Sequence, residues 1–258
     1  MRIRANGIDV RCEVSGSGPC VMFAHSLGSD LSIWDEQVSA LAGSHTVLRY
    51  DLRGHGGTDA PDGPYDFGML TADALGLLDM LGIERASFVG ISLGGMIGQH
   101  LALAAPGRIE RLALASTASR YPQAAGALFQ ERAESVLAHG LEPLVAPTLE
   151  RWFTPSFHAA HPETVARIGG LIRATKPAGY AGCCLAIRGM NTKARLPEIR
   201  CPTLVIAGRE DAGTPSIMGE EIARTIPGAR FERIDGAAHL CNIEQAAAFN
   251  RLLVGFLE

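Results

Sequence analysis

The stretch Ala86–Gly95, ASFVGISLGG, decides the fold. It begins as an almost continuous apolar run, which is typical of a parallel strand buried on both faces. Its centre, Gly90 to Gly94, matches G-x-S-x-G, and the helical pattern Leu93–Ala104 follows at once. A serine in this strand–turn–helix setting indicates a nucleophile elbow, a tight turn that exposes the hydroxyl of Ser92 above the sheet. The alternative interpretation is a serine that only caps the helix.

Similar apolar runs lie on both sides of this stretch and alternate with helical patterns. The predicted strands are Cys20–Ala24, Thr46–Tyr50, Ala86–Ile91, Arg111–Ala115, Thr203–Ala207 and Arg230–Ile234. The predicted helices are Ile33–Leu41, Leu70–Leu81, Leu93–Ala104, Gly219–Thr225 and Glu244–Leu257. This alternation predicts an α/β fold with a mostly parallel, doubly wound sheet and helices on both faces.

An antiparallel hairpin is expected at the N-terminus. Asn6-Gly7 separates Arg2–Ala5 from Ile8–Val14, and Asn-Gly between two strand-like segments is a strong hairpin signal. The hairpin would join the edge of the parallel sheet.

Residues 121–196 interrupt the alternation with helical patterns and prolines only. We therefore expect a core domain in two parts, 1–120 and 197–258, with a helical insertion at 121–196 over one edge of the sheet. Ligands of open α/β sheets bind at the carboxyl ends of the strands, so this insertion is placed to act as a lid.

Composition and charge narrow the class of partner. The 258 residues carry 23 Lys and Arg against 27 Asp and Glu, a formal net charge of −4, which argues against a nucleic-acid partner. No apolar run is long enough to span a membrane, and the N-terminus lacks the apolar segment of a signal peptide, so we expect a cytoplasmic protein. The six cysteines show no zinc-type spacing, so no metal is expected. The class of partner that remains is a small-molecule substrate, and the sequence does not predict the oligomeric state.

A serine nucleophile needs a base to accept its proton. Chains with this elbow place the acid and then the histidine after the serine. Among the histidines after Ser92, His239 alone follows the last predicted strand, directly before the last helix. Asp211 follows the strand Thr203–Ala207 and is the expected acid, which would hold the His239 tautomer. Glu210 and Asp235 are the rival acids.

The developing oxyanion of the reaction needs backbone N–H donors. One is expected from Leu93, the residue after the nucleophile. The other should come from the loop His25-Ser26-Leu27-Gly28, which follows the first predicted parallel strand, and we favour the N–H of Ser26.

With these motifs the sequence resembles the α/β-hydrolase superfamily and, more narrowly, the 3-oxoadipate enol-lactonases. The resemblance extends from about Ala24 to the C-terminus, and the motifs in the insertion are its more specific part. The segments that carry it are His25–Gly28 with Trp34, Val47–Gly56, Gly90–Met96, Arg151–Pro155, Tyr180–Cys184 and Ala238–Gln245.

The resemblance implies a serine hydrolase of bacterial aromatic catabolism that opens 3-oxoadipate enol-lactone through an acyl-enzyme, with no metal or organic cofactor. Trp152 is suggested as a pocket-lining residue, with packing between insertion and core as the alternative, and His25 is a further candidate substrate contact. Because the substrate is an anion, the insertion should supply a cation. The candidates are Arg120, Arg132, Arg151, Arg173, Lys176 and Arg188.

The chain departs from similar enzymes at two places. Acidic residues often follow the Cys183-Cys184 pair, where this chain has Gly189 and Asn191, and a proline often follows the acid, where it has Ala212-Gly213. We expect neither departure to touch the triad.

Other functions on the same fold are a general carboxylesterase, a perhydrolase and a carbon–carbon-bond hydrolase, because the triad alone does not separate them. The intact triad argues against a binding protein that has kept only the fold.

Overall fold

One eight-stranded sheet forms the centre of the molecule, in a computed structural model that describes the backbone of residues 1–258 and the side chains of 1–122 and 126–258. Its strands are β1 (Arg2–Ala5), β2 (Ile8–Ser15), β3 (Cys20–Ala24), β4 (Thr46–Tyr50), β5 (Ala86–Ile91), β6 (Ile109–Ala115), β7 (Thr203–Gly208) and β8 (Arg230–Ile234). The order across the sheet is β1-β2-β4-β3-β5-β6-β7-β8.

The pairing confirms the predicted mixed sheet. β1 pairs with β2 and β2 with β4 in the antiparallel sense, and all later pairs are parallel. The hairpin turn has positive φ at Asn6 (46°) and Gly7 (78°), as a two-residue hairpin turn with the favoured twist requires. Every residue of β5 and β7 is buried, which explains why these strands lack polar alternation.

The strands are connected by helices and short 3-10 turns. The helices are α1 (Asp35–Leu41), α2 (Phe67–Met80), α3 (Leu93–Ala104), α4 (Gln123–His139), α5 (Glu142–Trp152), α6 (Pro155–Ala160), α7 (Pro162–Ala174), α8 (Pro177–Arg188), α9 (Ser216–Thr225), α10 (Cys241–Glu244) and α11 (Ala246–Leu257). The 3-10 turns are Leu31–Trp34, Pro106–Arg108 and Lys193–Glu198. Within the described backbone, none of the helices has the length and apolar character to cross a membrane.

Four predicted helices differ from the structure at their ends; one of them, α9, begins at Ser216, three residues before its predicted start. The first begins as the 3-10 turn Leu31–Trp34, whose cap is the side chain of Asp30. α2 begins before its apolar pattern because Asp66 accepts the N–H of Met69 at 2.8 Å. The helix predicted at Glu244–Leu257 begins two residues later as α11, because Gln245 has non-helical backbone angles (φ −127°, ψ 51°), and the short helix α10 precedes it.

The segment between β6 and β7 contains α4 to α8 and one isolated β-bridge, Arg120 with Asn191. Three of its prolines start helices, and a fourth, Pro147, lies inside α5. Pro155, Pro162 and Pro177 are the first residues of α6, α7 and α8. Proline suits this position because its missing N–H would have no partner there. The helical character expected for 121–196 agrees with the structure, and the division into three segments stays a prediction.

α8 is seated directly on the core. Gly54, with a φ of +82°, lies against Gly179, and a Cβ on either residue would overlap the backbone of the other. One turn further along, the Tyr65 N–H donates to the Gly182 carbonyl at 3.4 Å. The first turns of α8 therefore rest backbone on backbone against the loops that follow β4.

We expect Gly179→Ala to lower the free energy of unfolding by about 1–3 kcal/mol, the usual cost of an extra methyl group in a filled space. Gly170→Ala is the matched control, because Gly170 is exposed in the interior of α7 with no atom near a new Cβ. It should be neutral or stabilising by up to about 1 kcal/mol. Urea unfolding of the two variants provides the measurement, and equal stabilities would contradict the close contact at Gly179.

Candidate active site

Ser92 occupies a strained turn between β5 and α3. Its φ of 55° and ψ of −115° are unfavourable for a residue with a side chain and persist only where the surroundings enforce them. The Ser92 N–H donates to the Ala115 carbonyl at 2.9 Å, and the Thr117 hydroxyl donates to the Ser92 carbonyl at 2.8 Å. The end of β6 thus holds both backbone sides of the turn.

The structure joins Asp211 and His239. Nδ1 of His239 lies 2.8 Å from Oδ2 of Asp211. A carboxylate only accepts hydrogen bonds, so Nδ1 is the donor and Nε2 of the neutral ring is left as the proton acceptor. Both side chains are buried, at 5% and 4% exposure.

Asp211 is held by donors from the turn that follows it. Oδ1 accepts the N–H groups of Gly213 (2.8 Å) and Thr214 (2.9 Å), and Oδ2 accepts the Thr214 hydroxyl at 2.7 Å. Burial acts to raise the pKa of Asp211, but the His239 ring and the Thr214 donors outweigh it and hold the pKa below the ordinary value. Asp211 is therefore ionised at neutral pH.

The expectation that Ala212-Gly213 stays clear of this group is wrong. Both residues line the same cavity as Ser92, and the Gly213 N–H binds Asp211 directly. The reason is that the turn after β7 folds back over its own aspartate, which the residue types alone do not reveal.

The two rival acids point elsewhere. The carboxylate of Glu210 accepts the N–H groups of Gly236 and Ala237 at 3.3 and 3.0 Å. Asp235 is exposed and forms an ion pair with Arg209. Neither carboxylate is bonded to His239.

The loop after β3 lies beside the N-terminus of α3. The Gly94 N–H donates to the His25 carbonyl at 3.1 Å, which brings Ser26 next to the residues after Ser92. In the described part of the chain, the N–H groups of Ser26 and Leu93 do not donate to any backbone carbonyl. Both groups are thus free to act as the pair of oxyanion donors.

His25 lies behind this loop and does not line the cavity. Its Nδ1 donates to the Ser26 carbonyl at 2.8 Å, and its Nε2 accepts the Leu52 N–H at 2.9 Å. The side chain is fully buried. The expected contact between His25 and substrate therefore has no support in the geometry, because both ring nitrogens are engaged in holding the loop.

His55 supports the same loop. Its Nε2 accepts the Gly28 N–H at 3.0 Å, and its Nδ1 donates to the Arg53 carbonyl at 3.1 Å. Burial lowers the pKa of His25 to about 4 and that of His55 to about 3. Both rings are neutral where the protein is folded, as their accepting nitrogens require.

A cavity of about 270 Å³ opens beside Ser92 and His239. The core contributes the loop after β3, the start of α3 and the turn after β7, and the insertion contributes the rest of the wall. The residues from the insertion are Tyr121, Phe129, Arg132, Thr148, Arg151, Trp152, Tyr180 and Ile187.

Trp152 forms part of the cavity wall and also packs against the core. Its ring lies nearly parallel to the His239 ring, with 6.2 Å between centroids, and its carbonyl accepts the Leu240 N–H at 3.1 Å. The structure therefore agrees with both predicted roles of Trp152, which are to line the pocket and to pack the insertion against the core.

Two of the six candidate cations, Arg132 and Arg151, line the cavity. Within 1–122 and 126–258, neither guanidinium forms an ion pair with a carboxylate. Arg132 lies over the Phe129 ring at 5.5 Å, and Arg151 reaches the Thr148 hydroxyl at 3.3 Å. Burial and the nearby Arg132 charge lower the pKa of Arg151, so two like charges share one partly desolvated space.

The remaining candidate cations lie away from the cavity. Arg173 pairs with Glu142 at 2.7 Å, Lys176 donates to the Thr58 carbonyl at 2.9 Å, and Arg188 donates to Gln130 at 2.7 Å. Arg120 is exposed beside its β-bridge.

Thr214 is a site residue that the sequence analysis missed. It binds Asp211 and also lies 3.3 Å from Nδ1 of His239. The available signal was its position three residues after an aspartate in a turn, where hydroxyl and N–H groups commonly bind the carboxylate. Among the residues whose side chains are described, no cluster of three His, Cys, Asp or Glu could hold a metal ion.

The fold and this site define an α/β-hydrolase. Residues 19–246 match the alpha/beta hydrolase fold family, and the chain belongs to that family as an enzyme of the carboxylic ester hydrolase type.

Within the family, the predicted likeness to enol-lactonases is confirmed. The chain is 38% identical to 3-oxoadipate enol-lactonase 2 of Acinetobacter baylyi over 90% of its own length and 86% of that protein. The crystal structure of the enol-lactonase from Burkholderia xenovorans LB400 superposes with a TM-score of 0.96 at 39% identity, covering 100% of this chain and 99% of that one. The putative carbamate hydrolase RutD of Azorhizobium caulinodans is 31% identical over 96% of this chain and 94% of that protein.

The buried histidine pair generates a prediction on stability. Below about pH 6.5 the unfolded chain binds protons at His25 and His55 that the folded chain does not, since their folded pKa values are about 4 and 3. The free energy of unfolding should therefore fall as the pH drops from 6.5 towards 4, by about 2 kcal/mol for each histidine at pH 5.

Urea unfolding at pH 7 and pH 5 measures this loss. His55→Asn should be less stable at pH 7 and should show a smaller difference between the two pH values. His139→Asn, at an exposed position of α4, is the control. Equal pH dependence in the wild type and His55→Asn would contradict the role of the pair.

Proposed function

We propose that this protein opens 3-oxoadipate enol-lactone to 3-oxoadipate by serine catalysis. The observation that carries the proposal is that Arg132 and Arg151 line the cavity that also contains Ser92 and His239. Among the side chains that the structure describes, neither guanidinium group has a carboxylate partner. The enol-lactone has a carboxylate arm, and the similarity of the chain to 3-oxoadipate enol-lactonase 2 of Acinetobacter baylyi supports this choice of substrate.

The two arginines favour an anionic ligand for an electrostatic reason. Like charges at short range repel, and partial burial strengthens the repulsion by removing water. A bound carboxylate would relieve it and could accept hydrogen bonds from both guanidinium groups. The whole chain has a net charge of −4, so the positive charge is local to the cavity.

In the first step, Ser92 attacks the lactone carbonyl while Nε2 of His239 takes the hydroxyl proton. Asp211 holds the ring in the required tautomer and stabilises the imidazolium. The carbonyl oxygen, now negative, accepts the N–H groups of Ser26 and Leu93. Loss of one such donor typically raises the barrier by about 2.7–4 kcal/mol.

In the second step, the carbon–oxygen bond to the ring oxygen breaks, and His239 returns the proton to the enol oxygen. The enol rearranges to the ketone, and the acyl part of the substrate remains attached to the Ser92 oxygen as an ester. Water, activated by His239, then cleaves this ester and releases 3-oxoadipate with Ser92 restored. These reaction steps use only groups of the protein, the substrate and water.

The test compares kcat/KM for 3-oxoadipate enol-lactone and for a neutral p-nitrophenyl ester. We expect preference for the lactone, and loss of both activities in Ser92→Ala. Arg151→Met and Arg132→Met should each lower lactone kcat/KM about ten- to hundred-fold, mostly through KM, since a hydrogen bond to a charged group is worth about 1.5–3 kcal/mol.

Neutral-ester kcat/KM should stay within about two-fold in both arginine variants. Arg188→Met is the matched control, because Arg188 belongs to the same insertion but binds Gln130 outside the cavity. Rapid ester turnover with little lactone activity and no arginine effect would instead assign a general esterase with the same triad.

The assignment of the acid has its own test. Asp211→Asn should lower kcat by about four orders of magnitude while the protein stays folded, because an amide favours the wrong tautomer of the histidine. Glu210→Gln is the adjacent control and should keep nearly full activity, since Glu210 is exposed and water can replace its carboxylate at the N–H groups of Gly236 and Ala237. A large loss in Glu210→Gln with a small one in Asp211→Asn would reverse the assignment.

A further inference from the structure

Glu244, the last residue of α10, connects the insertion to the loop that carries His239. Its side chain is buried, at 8% exposure. Oε2 accepts the Ala238 N–H at 2.8 Å. Oε1 accepts the Thr154 N–H at 2.9 Å and also the Thr154 hydroxyl. Each carboxylate oxygen is thus bound to a different segment of the chain.

The bonded groups flank two residues of the cavity. Ala238 directly precedes His239, and Thr154 lies two residues after Trp152. A fourth bond, which does not involve Glu244, runs from the Leu240 N–H to the Trp152 carbonyl at 3.1 Å. The residues on both sides of His239, Ala238 and Leu240, are therefore bonded, through Glu244 or directly, to the turn at the end of α5.

We propose that Glu244 is a positioning residue for the reaction, which sets His239 and Trp152 in one fixed arrangement. This inference rests on the proposed role of His239 as the base. His239 is held by Asp211 only at Nδ1, so the place of its ring also depends on the backbone that carries it. A displacement of about 1 Å from the reactive arrangement can cost about a hundred-fold in rate.

The chemistry of a carboxylate matters at this position. All three partners of Glu244 are donors, and an ionised carboxylate offers acceptors on both oxygens. In Glu244→Gln, one end of the side chain becomes an NH₂ group and must face either the Ala238 N–H or the Thr154 donors. The shape is kept, but the backbone N–H of Ala238 or that of Thr154 loses its acceptor.

A substitution at Thr154 tests the bonds of Glu244 to the Trp152 side separately from its bond to Ala238. Thr154→Val removes the hydroxyl, which binds Glu244 and also accepts the Phe157 N–H at the start of α6 at 3.3 Å, and it leaves the bond between Glu244 and Ala238. We therefore expect Thr154→Val to raise KM a few-fold with kcat within about two-fold. Glu244→Gln should lower kcat about ten- to hundred-fold, and Thr154→Ser, which keeps the hydroxyl, should behave as the wild type.

The experiment measures kcat and KM on the enol-lactone, normalised to active sites by titration with a p-nitrophenyl phosphonate that labels Ser92. The rate of labelling is a second readout, because it also needs the base. We expect labelling of Glu244→Gln to slow by about the same factor as kcat. A role in folding alone would lower the number of active sites and leave the rate at each site unchanged.

A normalised kcat and labelling rate within two-fold of the wild type in Glu244→Gln would overturn the positioning role. So would a loss explained entirely by fewer active sites. If Glu244→Gln does not fold, Glu244→Asp, shorter by one methylene, takes its place in the same comparison.

The outcomes for the proposed function are separate. If the wild type labels at Ser92 but does not open the lactone, the proposed substrate is wrong, and the labelling rates still decide the role of Glu244. Unchanged rates in Glu244→Gln, in an enzyme that opens the lactone and loses activity in Ser92→Ala, would overturn the positioning role alone.

Discussion

The site depends on the strained backbone of Ser92, which β6 holds in place from the side. The Ala115 carbonyl and the Thr117 hydroxyl bond to the two backbone groups of the serine. These bonds exist only because β5 and β6 pair in a register that places Ile91 opposite Ala115. Strand pairing in the buried sheet thus fixes the direction of α3, and α3 in turn holds the loop that contains Ser26 through the Gly94–His25 bond.

The sequence was sufficient to predict the features that depend on local pattern or on position at a strand end. Strand–helix alternation predicted the sheet, and the motif at Ser92 predicted its turn. Asp211 and His239 could be selected because the carboxyl ends of neighbouring parallel strands meet at one edge. Helix ends were less predictable, since caps such as Asp30 and Asp66 lie outside the apolar pattern that defines a helix.

The contents of the cavity could not be predicted in the same way. Six cations of the insertion were equal candidates, and only the packing of α4 and α5 places Arg132 and Arg151 together. The link through Glu244 joins residues 90 positions apart, a contact for which a single sequence has no local signal. His25 is the opposite case, because this polar residue of the loop after β3 binds the backbone groups of Ser26 and Leu52 and does not line the cavity.

The seating of α8 on the core has a consequence for ligand selectivity. The insertion is anchored by the contact between Gly54 and Gly179 at α8 and by Glu244 near the end of α5. Both anchors hold the part of the insertion that carries Arg132 and Arg151, which line the cavity as part of the fold. For the anionic substrate that we propose, this anchoring would be preorganisation, because the two guanidinium groups would need no reordering of the insertion to meet a carboxylate. Under that proposal, selection of an anionic over a neutral ligand would depend on the same glycine contact that holds α8 to the core.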